Sequence, residues 1–507
     1  MNLVFFNMLF EMGTLGLLNL VTYLEQNGYP AKHVYLVKKQ EETDEELDSI
    51  LSFVQQEQPD LIGFSLMTFN FYRTRRLTVE IKKRFPRIPI VWGGIHPTFE
   101  PEESIQYADY VCIGEGEEPL LELVRALEQG LPTHSIRNLW SKQDGRVTRN
   151  DLRPLIQNLD DYPFPRLCWE RTYCLDQAQV KPLSHDLYRR YVQYDGTMYD
   201  IMVSRGCPYS CSYCCNSLLR GLYNDKGKYV RYRSIGNVME ELQHARNEFP
   251  YVDMINIQDD GFASAPEEYL KEFSEVYRKD MGLPIRLRII PTMISETKVR
   301  YLSDAKTLVA VLGIQSSNRI NEEIFHRRVS SEKLIAVTKL LRKYNIVGQY
   351  DLITQNPYET EQDMVEICET LAQIPKPYQL VMFPLAMFPN TPLRAKAIED
   401  GIPVNEEDGY ATTYGSYPIR FPYLHQLQQV SPYTPKILIH FFLSHRHRTI
   451  VKKLFALYHR YVYAAIDWIR FKIMKNTKWV NWTKRIIFLP NSLLSHFRRS
   501  PARGSLP

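Results

Sequence analysis

The first 150 residues alternate short apolar runs with longer amphipathic stretches, and this alternation restricts the fold more than any other feature of the sequence. The apolar runs read LVFF, HVYLV, LIGFSL, IPIVWGG and YVCIG. Uninterrupted apolar strands separated by helical stretches are typical of a parallel sheet covered by helices on both faces. The pattern therefore predicts an α/β chain whose residues 1–150 form a doubly wound, flavodoxin-like domain.

Three successive strand ends in this domain carry small or polar residues. Ligands of doubly wound folds bind outside the carboxyl ends of the strands. Glycines there let a planar ligand approach the backbone, and hydroxyls can bond its edge. Each strand end, taken singly, is better explained by an ordinary turn, but the three together favour a ligand site. The residues are Ser65 and Thr68, Gly93 and Gly94, and Gly114 and Glu115.

The remaining chain divides into three further regions. Residues 151–198, rich in Tyr, Pro and Asp, predict a packed, irregular connecting segment. Six apolar strands then alternate with helical stretches, which predicts a partial (β/α)6 barrel over residues 199–402 with catalytic groups at its C-terminal rim. Residues 403–507 predict a mostly helical, basic region.

The loop after the first barrel strand, SRGCPYSCSYCCN, places Cys207, Cys211 and Cys214 in a CxxxCxxC triad. Four of the eight cysteines lie within nine residues, which favours metal ligation in a reducing cytosol over a disulfide framework. Most iron–sulfur clusters take four cysteines, so a triad leaves one iron of a four-iron cluster open. A zinc site with Cys215 as fourth ligand is an alternative, although zinc ligands usually come in two separated pairs. A redox CxxC of Cys211 and Cys214 would leave Cys207 without a role.

The triad, together with the flanking Gly206, Pro208 and Tyr213, resembles the radical S-adenosylmethionine (SAM) superfamily. The upstream runs PDLIGFS, GGIHPT and GEGEEP resemble the cobalamin-binding domain that precedes many of these enzymes. The resemblance extends from residue 1 to about residue 402, and it implies a 4Fe-4S cluster on the triad, S-adenosylmethionine and cobalamin. It assigns cobalamin to the strand-end residues Ser65, Thr68, Gly93, Gly94, Gly114 and Glu115.

The same resemblance indicates where SAM binds. Asp259 and Asp260 end the second barrel strand, where acids would face the cationic amino group of SAM. Either acid is equally explained as a helix N-cap. Gln315 and Ser316 end the fourth strand, where GxES is the commoner sequence; glutamine keeps the hydrogen bonding and removes the charge. Further along, Thr360 in YETEQD predicts a helix cap.

The chain departs from the family at the first strand end. Cobalamin domains that donate a histidine to cobalt carry DxHxxG there, and this chain has Met8 and Phe10 in place of Asp and His. The resemblance therefore implies a cobalamin with no protein histidine beneath the metal. His96 is a substitute candidate; the alternative is a histidine that belongs to its turn.

The resemblance implies an enzyme in which a 5′-deoxyadenosyl radical abstracts hydrogen from an unactivated carbon and methylcobalamin supplies a methyl group. One alternative keeps both cofactors but oxidises or cyclises its substrate without methyl transfer. A second is a non-catalytic cobalamin- or metal-binding sensor or scaffold. The expected partners are a small-molecule or lipid substrate and an electron donor such as flavodoxin or ferredoxin.

Charge is concentrated at the end of the chain. Residues 446–507 contain 14 Lys/Arg and one acid, Asp467, although the whole chain has a net charge of only +4. Basic helices with aromatic anchors can lie in a membrane interface, which predicts a cytoplasmic protein with peripheral contact at the inner membrane face. The alternative is a helical cap with a solvated basic face, and no recognition motif accompanies the charge to favour nucleic acid. The apolar N-terminus lacks a basic leader region and predicts a buried strand and a helix start.

Overall fold

The computed structural model describes residues 1–475 except 10, 11, 14, 38–40, 193–195, 406, 408 and 411–416. The chain forms two compact units. The first unit contains Met1–Leu308, Phe325–Arg327 and the described residues from 386 to 410. The second unit contains Val309–Ile324, Arg328–Leu385 and the described residues from 417 to 475.

The first unit begins with a nine-stranded sheet. Its strands are β1 (Leu3–Asn7), β2 (Ala31–Tyr35), β3 (Leu61–Ser65), β4 (Ile90–Gly93), β5 (Tyr110–Cys112), β6 (Leu139–Gln143), β7 (Arg146–Thr148), β8 (Thr172–Asp176) and β9 (Gln179–Pro182). Its helices are α1 (Leu15–Gln26), α2 (Asp44–Glu57), α3 (Phe71–Arg84), α4 (Ile95–Phe99), α5 (Pro101–Ser104), α6 (Glu117–Gln129) and α7 (His185–Tyr191).

The strand order of this sheet is β7-β6-β5-β4-β3-β1-β2-β8-β9. The central strands β2-β1-β3-β4-β5 are parallel and follow the 2-1-3-4-5 order of flavodoxin-like folds, which confirms the predicted doubly wound domain. Strands β6 and β7 add an antiparallel hairpin at one edge, next to β5. At the other edge β8 pairs in parallel with β2, and β9 pairs with β8.

Both faces of the central sheet are buried. On β1, Val4 and Phe6 belong to one apolar cluster while Leu3 and Phe5 belong to another. Successive side chains of a strand point to opposite faces, so a strand covered on both faces has no polar position to spare. This explains the uninterrupted apolar run LVFF at the start of the sequence.

The segment 151–198 is more regular than its composition predicts. It contains β8, β9 and α7, and β8 extends the first sheet by pairing with β2. The prediction of irregular connecting chain was wrong for these residues. The reason is that short strands of mixed composition, such as TYCLD and QVKP, lack the apolar continuity of a central strand.

The first unit also contains the first part of the predicted barrel. Strands β10 (Met198–Ile201), β13 (Met254–Ile257) and β14 (Ile285–Arg288) are parallel neighbours, and β11 (Ser204–Arg205) pairs with β12 (Arg231–Tyr232). The helices here are α8 (Cys215–Leu222), α9 (Ile235–Glu248), α10 (Glu267–Asp280), α11 (Glu296–Asp304) and α14 (Pro392–Glu399).

Three more parallel strands follow, β15 (Thr307–Gln315), β16 (Val347–Thr354) and β17 (Tyr378–Pro384), and from Val309 onward they belong to the second unit. All six predicted barrel strands are therefore present. Helices α12 (Ser331–Lys343) and α13 (Glu361–Gln373) follow β15 and β16. Helix α13 starts with a capping box of Thr360 and Asp363, which confirms the predicted N-cap.

Three helices end the described chain: α15 (Pro422–Val430), α16 (Lys436–Ser444) and α17 (Thr449–Lys475). The described helices include none that is both long and apolar enough to cross a bilayer. The predicted basic region continues through residues 476–507, which lie outside the described residues, as does Phe10 of the first strand-end window.

Candidate active site

The cysteine loop begins at a glycine that no other residue could replace without strain. Gly206, between β11 and Cys207, has φ +92, and a Cβ at this position would lie 2.3 Å from the carbonyl oxygen of Tyr229. A side chain there is excluded by both the backbone conformation and the close approach. The loop ends where α8 begins, at Cys215.

Backbone hydrogen bonds hold the loop in place. The Ser212 amide donates to the carbonyl of Phe325, and the Leu393 amide donates to the carbonyl of Ser212, both at 3.0 Å. The Cys214 amide donates to the carbonyl of Cys211, also at 3.0 Å. These bonds tie the centre of the loop to two distant parts of the first unit, so the three cysteines have defined positions.

The three thiols of the triad differ in burial and in pKa. Cys211 is buried, whereas Cys207 and Cys214 are half-buried. Burial raises the pKa of Cys207 to about 12. A hydrogen bond from the Cys215 thiol lowers the pKa of Cys214 to about 7. Three soft sulfur donors on one anchored loop fit an iron–sulfur cluster.

Within the part of the chain that the structure describes, no three His, Cys, Asp or Glu side chains converge as ligands of one metal ion. All eight cysteines, each of them described, are free of disulfides. The five outside the triad are buried or half-buried, as expected of packing residues: Cys112, Cys168, Cys174, Cys215 and Cys368.

Arg327 is a buried neighbour of the cysteine loop. The structure buries it, with its guanidinium 5.1 Å from the centre of the Tyr209 ring. It also hydrogen-bonds the Cys211 thiol. A fixed cation beside a cysteine stabilises the thiolate form that binds metal.

Asp259 and Asp260 differ sharply in their surroundings. Asp259 is fully buried, and its carboxylate accepts hydrogen bonds from the Val203 amide at 2.7 Å and the Ser204 hydroxyl at 2.5 Å. Burial raises the pKa of Asp259 to about 7. Asp260 is exposed and accepts a bond of 3.0 Å from the Asn216 amide group. Asp259 thus fixes the chain that leads into the cysteine loop, and Asp260 is the acid with room for a ligand.

Gln315 and Ser316 belong to the second unit. Gln315, at the end of β15, has φ +66. The buried Ser316 hydroxyl donates to Glu359 at 2.6 Å, and burial raises the pKa of Glu359 to about 7. Sequence reasoning found Ser316 but missed Glu359 as its partner, because PYET is explained by the following helix alone.

Two of the residues predicted to bind cobalamin, Ser65 and Gly93, lie at the aligned ends of neighbouring strands. The register pairs Ser65, at the end of β3, with Asn7 of β1 and with Gly93 of β4. A Cβ on Gly93 would meet only the Cβ of Cys112, at an ordinary 3.7 Å, so this backbone is open to a ligand. The edge at Ser65 and Gly93 therefore fits a flat ligand. The adjacent Thr68 is buried at the start of a short helical turn.

Gly94 and Gly114 are required by the packing of the chain itself. Gly94 has φ +101, and a Cβ there would lie 2.7 Å from the carbonyl oxygen of Leu66. Gly114 has φ +76, and its Cβ would lie 1.8 Å from the Tyr223 hydroxyl. Thr98 connects the two turns, since its hydroxyl donates to the Gly94 carbonyl at 2.7 Å and accepts from the Gly114 amide at 3.0 Å.

Glu115 contacts the segments before and after the cysteine loop. Its carboxylate pairs with both Nη atoms of Arg231, at 2.5 and 3.2 Å, and with Arg205 at 3.5 Å. Its amide donates to the Tyr223 hydroxyl at 2.8 Å. Burial opposes the charged form, but the two arginines outweigh it and hold the pKa of Glu115 below its usual value. The sequence alone did not reveal this clamp, which consists of Glu115, Arg205, Arg231 and Tyr223. The one indication of it in the sequence is Arg205, which directly precedes Gly206 and Cys207.

His96 lies in the core. It is fully buried, with ring centroids 4.7 Å from Phe71 and 5.6 Å from Tyr410. Burial lowers the pKa of His96 to about 4, and neither ring nitrogen has a hydrogen-bond partner among the described residues. The histidine packs within its turn, which agrees with the second of the two interpretations. Met8, in the window where other cobalamin domains have Asp, is also fully buried.

Two family models match the chain. The B12 binding domain model matches residues 1–124, and the Radical SAM superfamily model matches residues 201–371. The second match contains the cysteine triad and identifies a radical SAM enzyme. With the first match, the chain belongs to the radical SAM enzymes that carry a cobalamin-binding domain, as predicted. Cobalamin, an iron–sulfur cluster and SAM are the cofactors of these two domain families.

Curated relatives are distant. The chain is 26% identical over 319 residues to the uncharacterized methyltransferase PH0819 of Pyrococcus horikoshii, an alignment that covers 62% of this chain and 64% of the relative. It is 22% identical over 319 residues to the anaerobic magnesium-protoporphyrin IX monomethyl ester cyclase of Rubrivivax gelatinosus, covering 61% of this chain and 53% of the cyclase. The chain thus spans less than two thirds of the length of either relative.

The fold is similar to that of a solved structure, the radical SAM methyltransferase TsrM from Kitasatospora setae. The TM-score is 0.64, and the match covers 80% of this chain and 77% of TsrM. The sequence identity of 18% makes this a likeness of fold.

Proposed function

We propose that the protein is a cobalamin-dependent radical SAM methyltransferase that acts on an unactivated carbon. The observation that carries this proposal is the clamp of Glu115, Arg205, Arg231 and Tyr223. It joins the third strand-end turn of the cobalamin-binding domain to the segments on either side of the cysteine loop, Arg205 being two residues from Cys207. A ligand at that sheet edge and a cluster on the loop would therefore belong to one compact unit.

In this proposal each group of residues has a separate task. Cys207, Cys211 and Cys214 hold the cluster, and Arg327 stabilises the Cys211 thiolate. Asp260 of the first unit binds SAM, while Asp259 positions the loop. Gln315 and Ser316 are the residues of the second unit that the sequence resemblance assigns to SAM. When bound, these cofactors supply the radical that activates the substrate and the methyl group that replaces its hydrogen.

The cobalamin residues have two tasks. Ser65 and Gly93 bind cobalamin directly, because the backbone at Gly93 is open to a ligand, and the buried Thr68 supports them from the start of the following turn. Gly94, Gly114 and Glu115 act at a distance by fixing the turns and the clamp. The cobalt has no histidine ligand from the described strand ends, since His96 is enclosed by aromatic rings.

The test uses protein purified and reconstituted without oxygen, with iron and cobalt quantified. Supplied with methyl-labelled SAM and a reductant, it should form 5′-deoxyadenosine, and label should appear in the bound cobalamin. Cys207→Ala should lose iron and 5′-deoxyadenosine together. Cys215→Ser is the matched control in the same loop: it should keep its iron, whereas a four-cysteine zinc site would lose its metal. Iron without cobalt would refute the cobalamin assignment, and intact holoprotein without 5′-deoxyadenosine would refute the enzyme.

A second candidate is oxidative cyclisation with the same cofactors, and the similarity to the Rubrivivax gelatinosus cyclase favours it. The labelling experiment separates the two. Cyclisation predicts 5′-deoxyadenosine with no label in cobalamin, whereas methyl transfer predicts both.

The proposed substrate is a small molecule, with a lipid favoured because of the basic C-terminal helices. The reducing electron would come from a flavodoxin or a ferredoxin. Either protein, with its reductase, should replace the chemical reductant in the assay above.

A further inference from the structure

Helix α17 presents an apolar stripe to solvent. Ile450, Leu454, Leu457, Tyr461 and Trp468 are between 51% and 68% exposed. At 3.6 residues per turn their spacing places all five within about 60° of the helix circumference. Isolated exposed apolar residues are ordinary, but a continuous stripe marks a contact surface.

The stripe is distinct from the face by which α17 packs on its own unit. That packing face contains Val451 and Phe455, both buried. The Phe455 ring lies 4.6 Å from Tyr423 and 5.0 Å from Phe442, between ring centroids. The helix therefore has a second apolar face in addition to the one that the fold uses.

Exposed cations border the stripe on one side. Lys453 and Arg460 directly precede the stripe residues Leu454 and Tyr461 and lie along one edge of the stripe, while Lys452 lies on the far side of the helix. From residue 446 to the end of the sequence Asp467 is the single acid among 14 Lys/Arg. Helix α16 adds two further exposed apolar residues one turn apart, Ile437 and Phe441, at 77% and 41% exposure.

We infer that the α17 stripe is a docking surface for an anionic lipid bilayer. Helices of this kind lie in the plane of the interface, with their apolar face at the boundary of headgroups and acyl chains. Tyr461 and Trp468 have the amphipathic rings that favour this depth. Lys453 and Arg460 would reach the lipid phosphates and attract the helix to an anionic surface. A second copy of the chain fits less well, because two such faces would bring cations together.

The inference is independent of the proposed chemistry and is tested by binding alone. The full-length holoprotein is centrifuged with phosphatidylcholine vesicles, with and without phosphatidylglycerol. We expect binding to the anionic vesicles, falling as salt is raised, and little binding to the neutral ones.

Three variants assign the binding to the stripe. Leu454→Gln with Leu457→Gln should reduce partitioning at least about tenfold, because two leucines no longer enter the apolar layer. Lys453→Gln with Arg460→Gln should reduce binding to anionic vesicles alone. Lys452→Gln with Arg448→Gln removes the same charge away from the stripe and should have a smaller effect.

Two results would overturn the inference. One is absence of binding to anionic vesicles by holoprotein that cleaves SAM normally. The other is concentration-dependent self-association that the Leu454→Gln and Leu457→Gln pair abolishes while vesicle binding is unchanged, which would assign the stripe to a second copy. Formation of 5′-deoxyadenosine without vesicles should be equal in all variants, so a failure of the enzyme proposal remains distinguishable.

Discussion

Replacing Glu115 with alanine removes the acidic partner of Arg231, whose side chain is only 3% exposed. Breaking a buried pair on one side leaves an uncompensated charge and typically destabilises a protein by about 3–5 kcal/mol. Glu115 retains 23% exposure, so water can reach part of the pair. We therefore expect Glu115→Ala to lower the free energy of unfolding by about 3 kcal/mol, the lower end of that range.

The measurement is urea unfolding of the cofactor-free protein, followed by circular dichroism, in a double-mutant cycle with Arg231→Met. Each single variant leaves one charge of the pair without its partner, whereas the double variant removes both charges. The loss of unfolding free energy in the double variant should therefore be about 2 kcal/mol smaller than the sum of the losses in the two single variants. The matched control is Glu102→Ala. The pair of Glu102 with Arg149 has a distance of 2.8 Å but is 50–62% exposed, and removing it should change the free energy of unfolding by less than about 1 kcal/mol.

The reasoning would be refuted if Glu115→Ala unfolded within about 0.5 kcal/mol of the parent protein and the cycle were additive. If the same variant then bound cobalamin more weakly, Glu115 would be a direct cobalamin contact, as the sequence resemblance implies. The cofactor-free protein separates these outcomes, since only the clamp predicts a loss of stability without cobalamin.

Three further predictions follow from contacts in the two units. Gly114→Ala should lower the free energy of unfolding in urea by at least about 2 kcal/mol, because Gly114 has φ +76 and the new Cβ would lie 1.8 Å from the Tyr223 hydroxyl. Adding Tyr223→Ala to this variant should recover part of the loss, because it removes the clash. Burial raises the pKa of Glu359 to about 7, so ionisation opposes folding as pH rises from the unfolded value near 4.5 towards 7. The free energy of unfolding of Glu359→Gln should therefore rise relative to that of the parent protein over that window, and the difference between the two should stay constant at higher pH. A difference that does not change from about pH 4 to 8 would contradict this. Asp260→Ala should fold normally but need roughly tenfold more SAM for half-maximal 5′-deoxyadenosine formation. Asp259→Ala should lower the free energy of unfolding by about 2 kcal/mol, because two buried donors lose their acceptor. Equal effects of the two variants in both assays would contradict these assignments.

The strands and helices were predictable because each obeys a local rule. The strands of the first sheet are continuous apolar runs, and both of their faces are buried. The start of α13 follows from Thr360 and Asp363, because the side chain of each accepts a hydrogen bond from the backbone amide of the other. Placing Ser65 and Gly93 at one sheet edge required only the parallel topology.

The clamp was not predictable, because its partners are far apart in the sequence. Arg231 lies 116 residues after Glu115, and the run GEGEEP is compatible with a ligand contact as well as an ion pair. The burial of Arg327 likewise depends on the loop that Tyr209 occupies. A charged residue at a strand end gives a local signal of function, but its partner is decided by how two domains pack.

The pairing of β8 with β2 decides where this chain can be cut. A fragment that stops at residue 150 would leave β2 as an exposed sheet edge, with the unpaired backbone groups that promote association between copies. Extending the fragment through Val192 would retain β8, β9 and α7 and keep that edge covered. The smallest soluble cobalamin-binding fragment is therefore longer than the region that the family model matches, because its final strands come from the segment that leads to the radical SAM domain.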